Sequence, residues 1–493
     1  MPLPPAAANT AVDTRADRPA DSPAVTTSAT HSAAHSATQS APTAPAEPDT
    51  TLSTDQRQAL AATLLAVALA TLDSTITNTA LPRIAADLRA QPAAAIWVIN
   101  AYQLVVVATL LPFAALGDRL GPRRIHLGGL AFYLLASLGS ALADSLPTLA
   151  AARALQGLGA SALMSVNIAL IRQIYPASRL GRGVGLNALV VGVSFAAGPT
   201  VASLLLAVLA WPWLFVVNLP LGLLAFGIAW RSLPRSAPRG QPFDPATALL
   251  TALTFAAFIG ALSAAAQRAP LAGVGAALLL ALASGALLLR RQAGQVAPML
   301  PIDLLRRPLF ALSTATALAS FAAQGLAFVS LPFFFETVLH RNPVQTGFLM
   351  APWAIVVAAA APLAGRLSDR YPPGLMGGIG LVILSAGLAS LALLEADASA
   401  PAIVARMALC GAGFGLFQAP NLKALMSAAP PERSGSASGM VAMARLNGQA
   451  IGAALVALCF GLAGAQGPTW ALALGAGSAA LAAVASAARL WVR

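Results

Sequence analysis

Charge is what this 493-residue sequence lacks: Asp, Glu, Lys and Arg together supply 9% of it. A soluble domain carries about 25% charged residues, so a water-facing surface cannot be assembled from this chain. Lysine is almost missing. Lys423, the single example, follows Leu422, whereas a phosphate-binding loop needs Gly-Lys-Ser/Thr, which excludes ATP as the energy source. The two cysteines, Cys410 and Cys459, each sit in an apolar run without a second thiol nearby, which excludes a disulfide framework or a cysteine-built zinc site. Of the four histidines, His31 and His35 lie in the N-terminal stretch, His126 and His340 lie at the ends of apolar runs, and no HExxH occurs. An enzyme in the membrane is left without paired catalytic groups, and no metal site or cofactor is expected. The first fifty residues, rich in Ala, Pro, Ser and Thr, have no apolar core of the kind a cleavable signal peptide needs. They read as a disordered tail.

What is present is apolar sequence, 58% of the chain. About 20 apolar residues span a bilayer core, and fourteen such runs follow one another. The first six cover 57–80, 93–116, 124–143, 146–172, 183–208 and 212–231. Two more cover 245–266 and 271–289, and the last six cover 309–336, 344–365, 375–395, 401–427, 436–461 and 468–489. The net charge of +12 comes from residues between these runs, so it speaks of membrane topology and not of a nucleic-acid partner. Basic residues in alternate loops number nineteen on one side and four on the other, the latter being Arg83, Arg89, Arg268 and Arg341. Basic loops stay in the cytoplasm, which places both termini there.

The chain also repeats itself. Gly117-Asp118-Arg119 is answered by Ser368-Asp369-Arg370 at an offset of 251, Ala152-Arg153 by Ala405-Arg406 at 253, and Arg182-Gly183 by Ser434-Gly435 at 252. Three landmarks with nearly one spacing mark a duplicated six-helix unit. The expected organisation is an all-α integral membrane protein: a cytoplasmic tail over 1–54, a six-helix bundle over 55–232, two extra helices over 240–292 and a second six-helix bundle over 300–493. Parallel repeats of this kind enclose a substrate site near the midplane.

Few charges lie at depth, and a charge buried in the membrane costs several kcal/mol. Asp73 is the only deep acid, nine residues before Pro82 and so about 14 Å below the surface at 1.5 Å per residue. Arg153, seven residues into the fourth run, reaches about 10 Å from the same side, so the two can pair. Burial disfavours the charged carboxylate and a facing guanidinium favours it. Two readings stand at this point, a permanent structural ion pair and a group poised to take up and release a proton. Arg406 and Arg445 have no deep acidic partner in the second half and await carbonyls, water or an anionic group of the cargo. The loop around Asp118, Arg119, Gly121 and Arg124 and its copy around Asp369 and Arg370 can pair with neighbouring helix ends as gates, or simply fix topology. Gly192 and Gly198-Pro199 can bend the fifth helix. Trp97, Tyr102, Phe321, Gln324 and Phe328, with Asn78, Gln156, Arg406 and Arg445, are candidates to line a cavity.

These motifs resemble the major facilitator superfamily over residues 55 to 490, and the fourteen runs resemble its drug/proton antiporter branch of QacA/EmrB type. Leu72-Asp73-Ser74-Thr75-Ile76-Thr77-Asn78-Thr79-Ala80-Leu81-Pro82 resembles that branch's first-helix signature, Arg153-Ala154-Leu155-Gln156-Gly157 its fourth-helix motif and Gly198-Pro199 the core of its fifth-helix motif. Phe215, Asn218, Pro220 and Gly222 also fit, while Ala114 and Pro212 depart from the usual Gly and Arg. The resemblance implies a monomeric efflux protein that exchanges protons for amphipathic or cationic small molecules across a lipid bilayer, with Asp73 and Arg153 in proton coupling and the glycine-proline pair as the antiporter bend. The acid that some relatives carry late in the chain for divalent cations has no counterpart at depth. The alternative is a dedicated metabolite exporter or a proton symporter of the same superfamily.

Overall fold

The computed structural model describes residues 52–176, 179–235, 244–266, 269–292, 302–430 and 434–492. Nearly all of the expected tail, together with Arg268 of the four sparse basic residues and Arg239, Arg433 and Arg493 of the nineteen, lies outside the described residues. In hydrocarbon every backbone polar group must find its partner inside the chain, and this sequence does so with helices alone among the described residues. The first six long ones are α1 (Thr54–Asp87), α2 (Trp97–Leu120), α3 (Pro122–Ala141), α4 (Leu146–Ile174), α5 (Leu180–Val208) and α6 (Asn218–Ser232). Next come α7 (Pro245–Ala266) and α8 (Leu271–Gln292). Then follow α9 (Pro308–Phe333), α10 (Pro343–Leu367), α11 (Pro373–Ala392), α12 (Ala400–Ala428), α13 (Ser434–Ala463) and α14 (Gly467–Ala488).

Twelve helical runs among the described residues are long and apolar enough to cross a membrane, against the fourteen expected from sequence. Two features make the difference. The first turns of α3 carry Arg123, Arg124 and His126, which lower its mean hydropathy, and it falls outside the twelve. Helices α13 and α14 form a single apolar run, Gly439–Ala488, of 50 residues. Within that run a 3-10 turn at Gly464–Gln466 divides the two, with Gly464 at φ 54°. Apolar length alone therefore gives twelve, and the count of fourteen does not stand on it.

The polar tract of α1 is compatible with a helix because its hydroxyls bond back into it. Thr71 donates to the Val67 carbonyl at 2.8 Å, Thr75 to that of Leu72 at 2.9 Å and Thr79 to that of Thr75 at 3.1 Å. Such bonds satisfy these three hydroxyls within the helix, whereas Thr77 Oγ1 in the same tract is buried without a hydrogen-bond partner among the described residues. Packing repeats along the chain: α1 lies on α5 and α6 as α9 lies on α13 and α14, and α4 receives α2 and α3 as α12 receives α10 and α11. The hairpin α7–α8 is added at the side, with α7 against α2 and α13. It is clasped at the base by Asp244, which accepts from Arg291 at 3.1 Å and from the Thr247 hydroxyl at 2.6 Å. These bonds hold the Asp244 carboxyl well below the usual carboxylate range.

The halves meet where α5 crosses α1 and α10. A Cβ on Gly198 of α5 would collide with Thr75, and one on Gly347 of α10 would collide with Ser203 and the Pro199 carbonyl. Glycine is needed at both positions to let the backbones approach. The Ser203 hydroxyl hydrogen bonds with the carbonyls of Pro199 and Pro343, both at 2.9 Å, tying α5 to the start of α10. Beyond this crossing an apolar cluster plugs one end of the molecule, where Ile76, Leu81 and Ile84 of α1 join Phe333 of α9 and Val456 and Phe460 of α13. The other end, which carries the Arg-rich loops, is open.

Candidate functional site

Asp73 lies inside the first helical group, 1% exposed, and so does Arg153. Arg153 Nη1 donates to Asp73 Oδ2 at 2.5 Å, and the other carboxylate oxygen accepts from Asn218 Nδ2 at 2.7 Å and from Gln156 Nε2 at 3.2 Å. Gln156 Oε1 in turn accepts from Arg153 Nη1 at 2.6 Å. Ser137 closes the set: its hydroxyl accepts from Asn218 at 2.9 Å and from Gln156 at 3.3 Å and donates to the Phe215 carbonyl at 3.0 Å. Four helices thus contribute to one network, α1, α3, α4 and α6. A buried ion pair is stable only when such additional hydrogen bonds occupy its remaining sites. The guanidinium also lies over the Tyr102 ring, 4.3 Å from its centroid, and 5.6 Å from that of Phe215, where ring quadrupoles favour a cation.

A central cavity of about 1630 Å³ opens between the two halves, large enough for a drug-sized ligand. Its lining comes from the ends of α1, α2, α4, α5, α9, α10, α12 and α13 that face the Arg-rich loops. Neither Asp73 nor Arg153 lines it, but Tyr102 does. Tyr102 therefore borders the cavity while its ring carries the guanidinium of the buried pair.

The family model described as Major Facilitator Superfamily matches residues 63–453. The chain belongs to that superfamily. It is 50% identical over 429 residues to the uncharacterised transporter YebQ of Escherichia coli (strain K12), covering 87% of this chain and 94% of YebQ. It is 27% identical over 398 residues to the riboflavin transporter RibZ of Clostridioides difficile (strain 630), covering 80% and 86%. It is 31% identical over 410 residues to the multidrug efflux pump LfrA of Mycolicibacterium smegmatis, covering 82% and 80%. The chain is a transporter with membrane-spanning helices, and a small molecule and a lipid bilayer are its partners.

Of the residues expected to line a cavity, this superfamily member places Tyr102, Phe321, Gln324 and Arg445 on the wall. Gln156 belongs instead to the Asp73 network, and Phe328 packs behind the wall, its ring centroid 4.7 Å from that of Phe195 and 5.2 Å from that of Trp353. Asn78, on α1, is buried outside the lining, and Trp97 is half-buried at the start of α2. Arg406 turns to backbone, donating to the carbonyls of Ser390 at 3.2 Å and Ala402 at 3.0 Å. Gly192 borders the cavity with open space around it, while α5 runs as one helix through Gly198 and Pro199.

The two gate loops differ. Asp118 borders the cavity mouth beside Pro122, and Gly121, at φ 93°, makes the turn into α3 with Arg119 and Arg124 exposed. In the second loop Asp369 accepts from Lys423 Nζ at 2.6 Å, which joins α10 to α12 within one half instead of bridging the two halves; Arg370 is exposed. Sequence reasoning missed two participants. Ser137 gave no signal, and Arg489, counted among loop cations, is only 5% exposed, with Asn421 Oδ1 at 2.8 Å, Ser313 Oγ at 3.2 Å and Ser486 as its partners.

Proposed function

We propose that this chain exports amphipathic small molecules in exchange for protons, by alternating access of the central cavity to the two sides of a bacterial inner membrane. The observation that carries this is the position of Asp73: an acid sealed from water, tied to a cation that rests on a cavity-wall ring. Protonation of Asp73 removes the countercharge of Arg153. The guanidinium then has reason to move, and Tyr102 moves with it, so the charge state of a buried carboxylate is transmitted to the wall that cargo touches. Loss of the proton restores the pair and the starting shape. The close crossing at Gly198 and Gly347 serves as the pivot, and the apolar plug opens as the Arg-rich end closes. The likeness to LfrA, named a multidrug efflux pump, supports broad cargo; the likeness to RibZ, named a riboflavin transporter, favours the second reading, a dedicated exporter of one metabolite.

In this reading the chain works as a monomer without a cofactor, with both termini in the cytoplasm and two six-helix bundles flanking the α7–α8 hairpin. It crosses the membrane fourteen times: α3 crosses despite its basic first turns, and a run of 50 residues, roughly 75 Å at 1.5 Å per residue, is far too long for a single span and divides at its 3-10 turn.

The test uses inside-out vesicles with an acid interior and a panel of lipophilic compounds of both charges. Wild-type protein releases protons when cargo is added. Asp73→Asn does not, at equal amounts of monodisperse protein, and Asp73→Glu keeps part of the response. Cargo movement in wild type without any proton flux overturns the proposal.

A further inference from the structure

Among the described residues, the central cavity holds one ionised group away from the mouth, and it is a cation without a partner. Three charged side chains among the described residues line the cavity. Asp118 and Arg172 lie in the last turns of α2 and α4, at the open end. Arg445 lies eleven residues after the start of α13, roughly 16 Å in at 1.5 Å per residue. Among the described residues the other cations at depth are engaged, Arg153 with Asp73 and Arg406 with two carbonyls, as is the buried Arg489 just past α14 with Asn421 and Ser313. For Arg445 no hydrogen bond or ion pair occurs among the described residues. One turn away along the same helix face, Ala442 and Gln449 also border the cavity. Neither is acidic, and Gln449 already donates to Gln324 at 3.1 Å. Asp73, the one deep acid, is outside the cavity with both oxygens occupied.

A guanidinium in a mostly apolar chamber is costly while its donors go unanswered. Its planar fork matches the oxygens of a carboxylate, sulfonate or phosphate in paired fashion. The same chamber has an aromatic wall, with Phe321 and Phe414 edge to face at 5.5 Å between centroids. Cations find the reverse of what they need, since a fixed positive charge repels them and no free carboxylate compensates. We infer that the cavity is a site for amphipathic organic anions, with Arg445 receiving the acidic group and the aromatic wall receiving the ring system. The inference rests on reading this cavity as the transport site.

Fluorescein and rhodamine 123 test it, because they share a xanthene frame and differ in charge. Fluorescence polarisation with the purified full-length protein in detergent gives both affinities. The expected result is fluorescein bound about tenfold or more tightly than rhodamine 123, an advantage that Arg445→Gln removes and Arg445→Lys retains in part, in line with a charge-assisted hydrogen-bonded contact. Adding phosphatidylglycerol separates the sources of the anion: stoichiometric displacement of fluorescein assigns Arg445 to a lipid headgroup, and no displacement assigns it to a soluble anion. A second measurement does not depend on whether a dye fits. In Ala442→Cys, with Cys410 and Cys459 themselves buried, a sulfonate-bearing methanethiosulfonate reacts faster, relative to a trimethylammonium one, than it does with free cysteine, and Arg445→Gln abolishes the preference. Equal or tighter binding of rhodamine 123, or equal reagent preference in the cavity and in free cysteine, overturns the inference and leaves proton-coupled export standing. Anion preference without proton release in the vesicles does the opposite.

Discussion

At the scale of single residues, the site is a charge pair whose members are indispensable to each other. Removing one partner of a buried, hydrogen-bonded pair leaves an uncompensated charge and costs about 3–5 kcal/mol. Arg153→Gln and Asp73→Asn are each expected to lower the thermal midpoint in detergent strongly, and the double variant to be more stable than the sum of the two losses requires, because it leaves no orphan charge. A double-mutant cycle by thermal melting measures that coupling; additive losses would show that the pair does not act as a unit. The partnership of Asp73 and Arg153 was legible because helical rise converts sequence position into depth. Ser137 was not legible, since it meets Gln156 and Asn218 only through the packing of α3 against α4 and α6, which no local pattern encodes. Arg489 misled for a related reason. Its place at the last position of an apolar run suggests water, whereas its side chain turns back among α9, α12 and α14.

At the scale of elements, the crossing of α5 with α1 and α10 governs how the halves meet. Gly198 could be picked out beside Pro199, but its counterpart Gly347 could not, because a lone glycine acquires meaning only once the helix opposite it is known. Gly347→Leu forces side-chain atoms into Ser203 and the Pro199 carbonyl. Overpacking of this kind costs about 1–3 kcal/mol, and here the cost falls on the arrangement with a plugged far end. The variant is expected to expose that end: in Gly347→Leu with Leu81→Cys, a membrane-impermeant thiol reagent applied from the far side reacts faster than in Leu81→Cys alone, where the position is fully buried. An unchanged rate would mean that the crossing does not hold the plug.

At the scale of the whole molecule, the helical class and the order of the long helices could be read from apolar runs, whereas the number of crossings could not be settled by hydropathy. The basic first turns of α3 keep it below the hydropathy of a span, and α13 and α14 read as one apolar run although a short 3-10 turn stands between them. Single cysteines at Asp144 and Gln466 are expected to react with impermeant reagent from the side opposite to one at Arg124; reaction of all three from one side would rule out fourteen crossings. The near absence of lysine has its own use. Lys423 is the only lysine side chain, it stands 45% exposed at the open end, and it holds Asp369 at 2.6 Å. An amine-directed acylating dye therefore has one side chain to find in this chain, and its speed depends on whether that ammonium is engaged and accessible. The molecule carries a ready-made attachment point for a reporter at the open end, so the labelling rate of the peptide that contains Lys423, followed apart from any α-amino group and with and without cargo, tests whether that end closes without any engineered residue.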